Sequence, residues 1–373
     1  MRLLTSIGGL AIALAGQAQV NNPPPTREIQ ISSALKCGAR KHLAARVHFS
    51  PDGTQLAFVL YGAENTQDTH LMIVSRDGTS VRELAQQLGQ LPNFIGMPAR
   101  MSIPWSSDGE YLALRGSPVS VVRVRDAKVC TIPAVNHLAG FVEGSSLVVQ
   151  RFGTAGNRIV TLEYWSPDCE LQGSVPAPAN EAAVVLPGGT GIAFGTDKGI
   201  LISDVRAVPL KEVTIDFRGI EKHADKKAYV RLDRGGFTEN GAVLCAGIKL
   251  NTTQVLSGAH CIDMETGKEA GTRPPGMQAL GDPIDTAEQG TRALWRFEAS
   301  NARDALEYIP NILFRGVHWV PGWLIWDYRA ASKILQLGPF RWSGWSDAPI
   351  ALAPKGDAVA VVKDGAVVIW ELP

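Results

Sequence analysis

The residues able to do chemistry are thinly spread along this chain. Asp282 and Asp285, in GDPIDTAEQG, are two carboxylates close enough in sequence to share a divalent cation if a third oxygen or nitrogen ligand joins them. Without that third ligand the stretch reads as a solvated loop between strands. The seven histidines stand singly at positions 42, 48, 70, 137, 223, 260 and 318, so each reads as a packing or surface residue. No serine sits in a GxSxG elbow, and HExxH, GxxxxGK[ST] and the acidic calcium loop are all missing. The glycines of LPGGTGIAFG do not fit GxGxxG, which removes dinucleotide binding. The five cysteines, Cys37, Cys130, Cys169, Cys245 and Cys261, show no zinc spacing. Cys245 and Cys261 fall in AVLCAGIKL and QVLSGAHCID, two apparent strands joined by a short turn at Asn251. If those strands pair, the two thiols lie almost opposite each other, as a disulfide or as two buried thiols. Asn251 also heads an Asn-Thr-Thr sequon, although a tight-turn role suits it better.

What positions these residues is a repeat. FSPDGTQLAF (49–58) returns as WSSDGEYLAL, FVEGSSLVV, LPGGTGIAFG, TENGAVLCAG and LAPKGDAVAVV. Each is an apolar strand, a turn containing Gly, and a second strand. Pro presets φ in the turn, Asp can bond its own backbone, and Gly takes the left-handed conformation that closes a hairpin. A third strand follows, as in HLMIVSRDG, GILISDV, GWLIWDY and AVVIWELP, and often a fourth, as in SVRELA and KILQL. Almost no amphipathic helical pattern competes. Short antiparallel strands in fours, recurring along the chain, predict an all-β propeller.

FSPDGTQLAFV followed by HLMIVSRDGTSVREL resembles the TolB-type propeller repeat. LIWDYRAASKILQL and the final VVIWELP resemble the third-strand ending of WD repeats. The likeness covers nearly the whole mature chain, with its signature letters in the first, sixth and last units. The count gives seven units, beginning near Arg46, Arg100, Asn136, Glu181, Ala228, Met277 and Asp347, with six or eight blades as the alternatives. The last unit has three strands before Pro373, so REIQISSAL (27–35) is expected to supply its fourth strand and close the ring.

In propellers the turns between first and second strands share one face, and the longer loops form the other, where ligands usually bind. That points away from the SPDG-like turns and toward residues 62–69, 86–100, 300–318 and 340–347. Those segments and their flanks carry Phe94, Tyr308, Phe314, Trp319, Trp342 and Trp345, with Arg100, Arg303, Arg315 and Arg341. Aromatic and Arg side chains on loops are the usual anchors of binding surfaces, and they equally pack long loops against a ring.

Residues 1–18 have a positive start at Arg2, an apolar run from Ile7 to Ala15 and small residues for cleavage after Ala15 or Ala18, the layout of a secretory signal. Residues 19–26 are a short Pro-rich lead-in, and 27–373 the propeller. No later stretch is long and apolar enough to be a transmembrane helix. Thirty-six basic and thirty-six acidic residues give no net charge, which argues against nucleic acid as a partner. The expectation is an exported, periplasmic or extracellular, non-enzymatic binding or scaffold module. It would be monomeric, free of cofactor, and would engage a protein or another extracellular ligand. The alternative is a lactonase-like propeller hydrolase holding a divalent cation in its channel.

Overall fold

Both faces of the middle strands are apolar, as in QLAFVLYG (Gln55–Gly62), whose five central residues are all buried, and AVAVVK (Ala358–Lys363). Such a strand needs a neighbour on each side. A ring of radially stacked sheets supplies this, because each sheet lies between two others. The computed structural model has this architecture. It describes residues 22–31, 42–62, 68–86, 88, 103–116, 118–133, 135–152, 160–178, 182–217, 229–230, 232, 235–249, 256–272, 274, 285–297, 319–320, 322–338, 340–341, 349–363 and 365–373.

Seven antiparallel blade sheets follow in chain order among the described residues. Blade 1 consists of His42–Phe49, Gln55–Gly62, Thr69–Ser75 and Val81–Gln86. Blade 2 has Tyr111–Leu114, Val119–Arg123 and Val129–Ile132, with Trp105 bridging to Leu112 in the innermost position. Blade 3 runs from His137–Phe141 to Leu171–Pro176 and blade 4 from Ala183–Val185 to Pro209–Thr214. In blade 5, Tyr229–Val230 and Gly236–Thr238 share the inner edge of Val243–Lys249, which pairs outward with Leu256–Asp263. Blade 6 has Asp285–Thr286, Arg292–Phe297, Gly322–Asp327 and Ser332–Leu337. Blade 7 has Ile350–Leu352, Ala358–Lys363 and Ala366–Glu371. Its fourth strand is Arg27–Gln30, with Arg27 opposite Ile369 and Gln30 opposite Ala366, so the N-terminal strand closes the ring.

The core is divided by the seams. Among the described residues seven apolar clusters form, and each draws its residues from two adjacent blades. Period-2 alternation distributes the side chains: Leu56, Phe58 and Leu60 face blade 7, while Ala57 and Val59 face blade 2. At the closing seam, Phe49, Phe58 and Met72 of blade 1 meet Ala351, Ala358 and Ala360 of blade 7, so large residues fill the space that small ones leave. Full burial of one such large side chain contributes about 1.5–3 kcal/mol.

The SPDG stretch is a turn. Gly53 N–H donates to the Ser50 carbonyl at 2.8 Å, and Gly53 has φ of 74°, a conformation costly for any residue with a Cβ. Asp52 accepts hydrogen bonds from Ser50 Oγ and from Thr54 N–H and Oγ, and together these hold its carboxyl below its ordinary pKa. Asp108 occupies the equivalent place in blade 2 and also accepts from Ser145 Oγ of blade 3 at 2.8 Å.

Two disulfides are present among the described residues. Cys245 and Cys261 are direct cross-strand partners within blade 5, with Cα atoms 3.9 Å apart. Cys130, in the outer strand of blade 2, is joined to Cys169, in the turn before the outer strand of blade 3, and so links two blades at the rim.

Candidate functional site

Several buried or half-buried polar side chains tie one blade to the next. Gln150 Oε1 of blade 3 accepts from Ala183 N–H of blade 4 at 3.0 Å, and His137 Nε2 lies 2.8 Å from the Ala183 carbonyl oxygen. Between blades 5 and 6, the Tyr328 hydroxyl meets Thr238 Oγ1 at 2.6 Å and Glu239 Oε1 at 2.8 Å, and the Arg329 guanidinium pairs with the same Glu239. At the closing seam Arg76 of blade 1 pairs with Asp357 and Glu371 of blade 7. Arg27 of the closing strand donates to the Arg76 carbonyl. These bonds set the blades against each other and leave few polar groups spare.

One group of acids differs. Asp285 stands in the inner strand of blade 6, and Glu288 in the turn that follows it. Asp285 Oδ2 accepts from Leu352 N–H of blade 7 at 2.7 Å, and Oδ1 from its neighbour Thr286 at 2.9 Å. Water reaches part of both residues, but protein surrounds them closely enough that desolvation dominates and pushes both carboxyls upward. The field of His48, on the inner strand of blade 1, opposes that rise at both, while Asp285 adds to it at Glu288. The inner strand of blade 1, and the inner strand of blade 6 with the turn that follows it, thus bring two acids within the field of one imidazole. Such a group can retain a proton that ordinary carboxylates would lose, and can bond a ligand as donor or acceptor.

It is a poor cage for a metal. Both oxygens of Asp285 already accept backbone N–H bonds, and among the described residues no group of three or more His, Cys, Asp or Glu has the spacing to hold a metal ion. Of the two carboxylates singled out by sequence, Asp285 therefore takes a place in the ring's inner frame, and Asp282 lies outside the described residues.

Phe94, Arg100, Arg303, Tyr308, Phe314, Arg315, Trp342 and Trp345 also lie outside the described residues. Trp319 and Arg341 are brought together as backbone partners in a two-stranded sheet of Trp319–Val320 with Phe340–Arg341. Sequence reasoning missed His48 and Glu288 as members of one group, because only ring closure brings blade 1 next to the blades at the chain's other end. It also missed the pairing of Cys130 with Cys169, whose 39-residue separation crosses a blade boundary.

The fold and its latches define a closed, seven-bladed β-propeller. No family model matches the sequence, and no curated protein matches it. Among solved structures, oligogalacturonate lyase in complex with manganese is similar at 13% identity and TM-score 0.53, over 94% of this chain and 97% of that one. TolB from Acinetobacter baumannii matches at 12% identity and TM-score 0.45, over 76% of this chain and 63% of TolB, so less than two thirds of TolB is spanned. Chaetomium thermophilum Sqt1 bound to the N-terminus of the ribosomal protein L10 matches at 12% identity and TM-score 0.47, over 94% of this chain and all of that one. At 13% identity what this chain shares with the lyase is the fold.

Proposed function

We propose that this chain is an exported β-propeller that acts as a non-enzymatic binding module for a protein or another extracellular ligand. The observation that carries the reading is the latched ring: bonds across the seams and a blade completed by the N-terminal strand make a rigid platform from which loops can present a binding surface. Export is supported by the signal-like residues 1–18 and by two disulfides, which persist in oxidising compartments. The lead-in 19–26 then carries the mature chain into the closing strand at Arg27.

The binding surface is assigned to the non-repeating loops, with Phe94, Arg100, Arg303, Tyr308, Phe314, Arg315, Trp319, Arg341, Trp342 and Trp345 as its anchors. Two experiments test the reading. N-terminal sequencing of protein recovered outside the cytoplasm should begin at residue 16 or 19; recovery of an uncut chain from the cytoplasm would defeat the export claim. Photo-crosslinking in intact cells should identify a partner whose yield falls at least about tenfold in Trp342→Ala/Trp345→Ala, as expected when hot-spot aromatics are lost. Unchanged crosslinking would remove the loop surface from the account. The alternative, a lactonase-like hydrolase with a channel-bound cation, has in its favour only the acid pair of blade 6. Hydrolysis abolished by chelation and restored by a divalent cation would establish it.

A further inference from the structure

Blade 2 has three strands, of four, five and four residues, and its outer strand Val129–Ile132 pairs with Val119–Arg123 on its inner side alone among the described residues. Across the seam stands the turn of residues 166–170, between the third and fourth strands of blade 3. Two side-chain ties join that strand end to that turn: Lys128 Nζ with Asp168 Oδ1 at 2.7 Å, and the disulfide of Cys130 with Cys169. The ion pair is 55% and 60% exposed, and pairs so exposed contribute little. The covalent bond is therefore the main tie at the rim. Other ties of this seam belong to inner strands and turns: Ser145 Oγ donates to Asp108 at 2.8 Å, Arg115 donates to the Asn136 carbonyl at 2.6 Å, and Ala113 and Val121 pack with Phe141 and Val149. Both rim cysteines are partly exposed, whereas the other disulfide is buried within blade 5.

We infer that Cys130 and Cys169 form a thiol–disulfide exchange site, a redox-sensitive strap that a dithiol opens at Cys169, loosening the rim of blades 2 and 3 while the ring stays closed. A thiolate of the dithiol attacks Cys169 Sγ and forms a mixed disulfide, and the bond to Cys130 breaks, so that Cys130 leaves as a thiolate and takes a proton from water. The second thiolate of the dithiol then attacks its partner sulfur in the mixed disulfide. The dithiol departs oxidised, and Cys169 is released as a thiolate that is protonated in turn. Cys169 is the sulfur attacked because it stands in a turn between exposed Asp168 and Glu170. Cys130 has an acceptor ready for its new S–H, since its sulfur lies 3.3 Å from the Pro167 carbonyl oxygen. Once the strap is cut, Val129–Ile132 keeps a single ladder, and a short strand held on one side opens locally without global unfolding. The strap is independent of the loop surface proposed above, and either can fail without the other.

The test uses the full chain carrying Cys37→Ser, which removes the fifth thiol as a competing nucleophile. Graded dithiothreitol is followed by alkylation mapping and by hydrogen exchange read by mass spectrometry. Once the rim bond is open, exchange should run severalfold faster across residues 128–132 and 166–171, stay unchanged in the other blades, and return to its starting rate on reoxidation with oxidised glutathione. Cys130→Ser/Cys169→Ser should reproduce the reduced pattern, with a thermal melt to show that it is folded. Reduced glutathione, a monothiol, should leave its adduct on Cys169. Unchanged exchange after proven opening, acceleration spread over all blades, opening of the blade 5 bond first, or an adduct on Cys130 alone overturns the assignment.

Discussion

Replacing Cys130 and Cys169 with alanine should lower stability by about 4 kcal/mol, the loop-closure entropy returned to the unfolded chain when a cross-link spanning 39 residues is removed. The shorter loop closed by Cys245 and Cys261, spanning 16 residues, is worth about 3 kcal/mol on the same reasoning. With an unfolding entropy of about 2.1 cal/mol/K per residue, a ring of this size melts about 5 °C lower for the first loss and about 4 °C lower for the second. The two bonds also differ in access. Cys130 and Cys169 are partly exposed at the rim, whereas Cys245 is 0% and Cys261 4% exposed within the core between blades 5 and 6. Mild reductant should therefore open the rim bond first and leave the blade 5 bond intact until the ring unfolds. The assay is thermal melting of wild type, Cys130→Ala/Cys169→Ala and Cys245→Ala/Cys261→Ala, with alkylation and mass spectrometry after graded reduction. A drop below about 1 °C in the rim variant, far short of the calculated shift, or reduction of the blade 5 bond first, would refute the reasoning.

Three further outcomes follow from the seams. Ile31→Ala, at a fully buried position just past the closing strand, should cost about 2–4 kcal/mol in denaturant unfolding, whereas a dispensable N-terminal strand would leave the midpoint unchanged. Tyr328→Phe should cost about 1–2 kcal/mol, since Thr238 and Glu239 lose their shared hydroxyl inside the seam between blades 5 and 6; a neutral result would mean that water takes its place. Glu288 has a folded-state pKa raised by burial, so its contribution is complete below its unfolded value near 4.5 and is lost as pH climbs through the raised one. The melting temperature of Glu288→Gln should therefore gain on wild type as pH rises above about 4.5, and a gap that stays constant or shrinks with rising pH would contradict the assignment.

The repeat was legible in the sequence because each hairpin is a local event. Gly53, Gly109 and Gly356 stand where a left-handed residue is needed, with φ of 74°, 72° and 74°, and their neighbours supply turn chemistry whatever the rest of the chain does. The seven-fold count and the closing role of Arg27–Gln30 followed from unit spacing and from a last unit one strand short. The seams were not legible, because Arg76 meets Glu371 across almost the whole chain and nothing local to either residue names the other. Glu288 illustrates the same limit: its sequence, Ala-Glu-Gln-Gly, is that of an ordinary exposed turn, and only stacking of the blades desolvates it.

By itself, then, the sequence determined the blade: strand, turn and register are fixed by short-range sterics and by a period-2 apolar pattern within a few dozen residues. Only the tertiary structure decided what faces what across the seams, which disulfide joins blades 2 and 3, and which acids are desolvated together. The physical reason is that desolvation and charge coupling depend on distance in space, and ring closure makes neighbours of residues at opposite ends of the chain. Asp52 and Gly53 of the SPDG turn belong to both levels: they shape a hairpin by local rules, and the closed ring sets Gly53 beside Pro354 of blade 7.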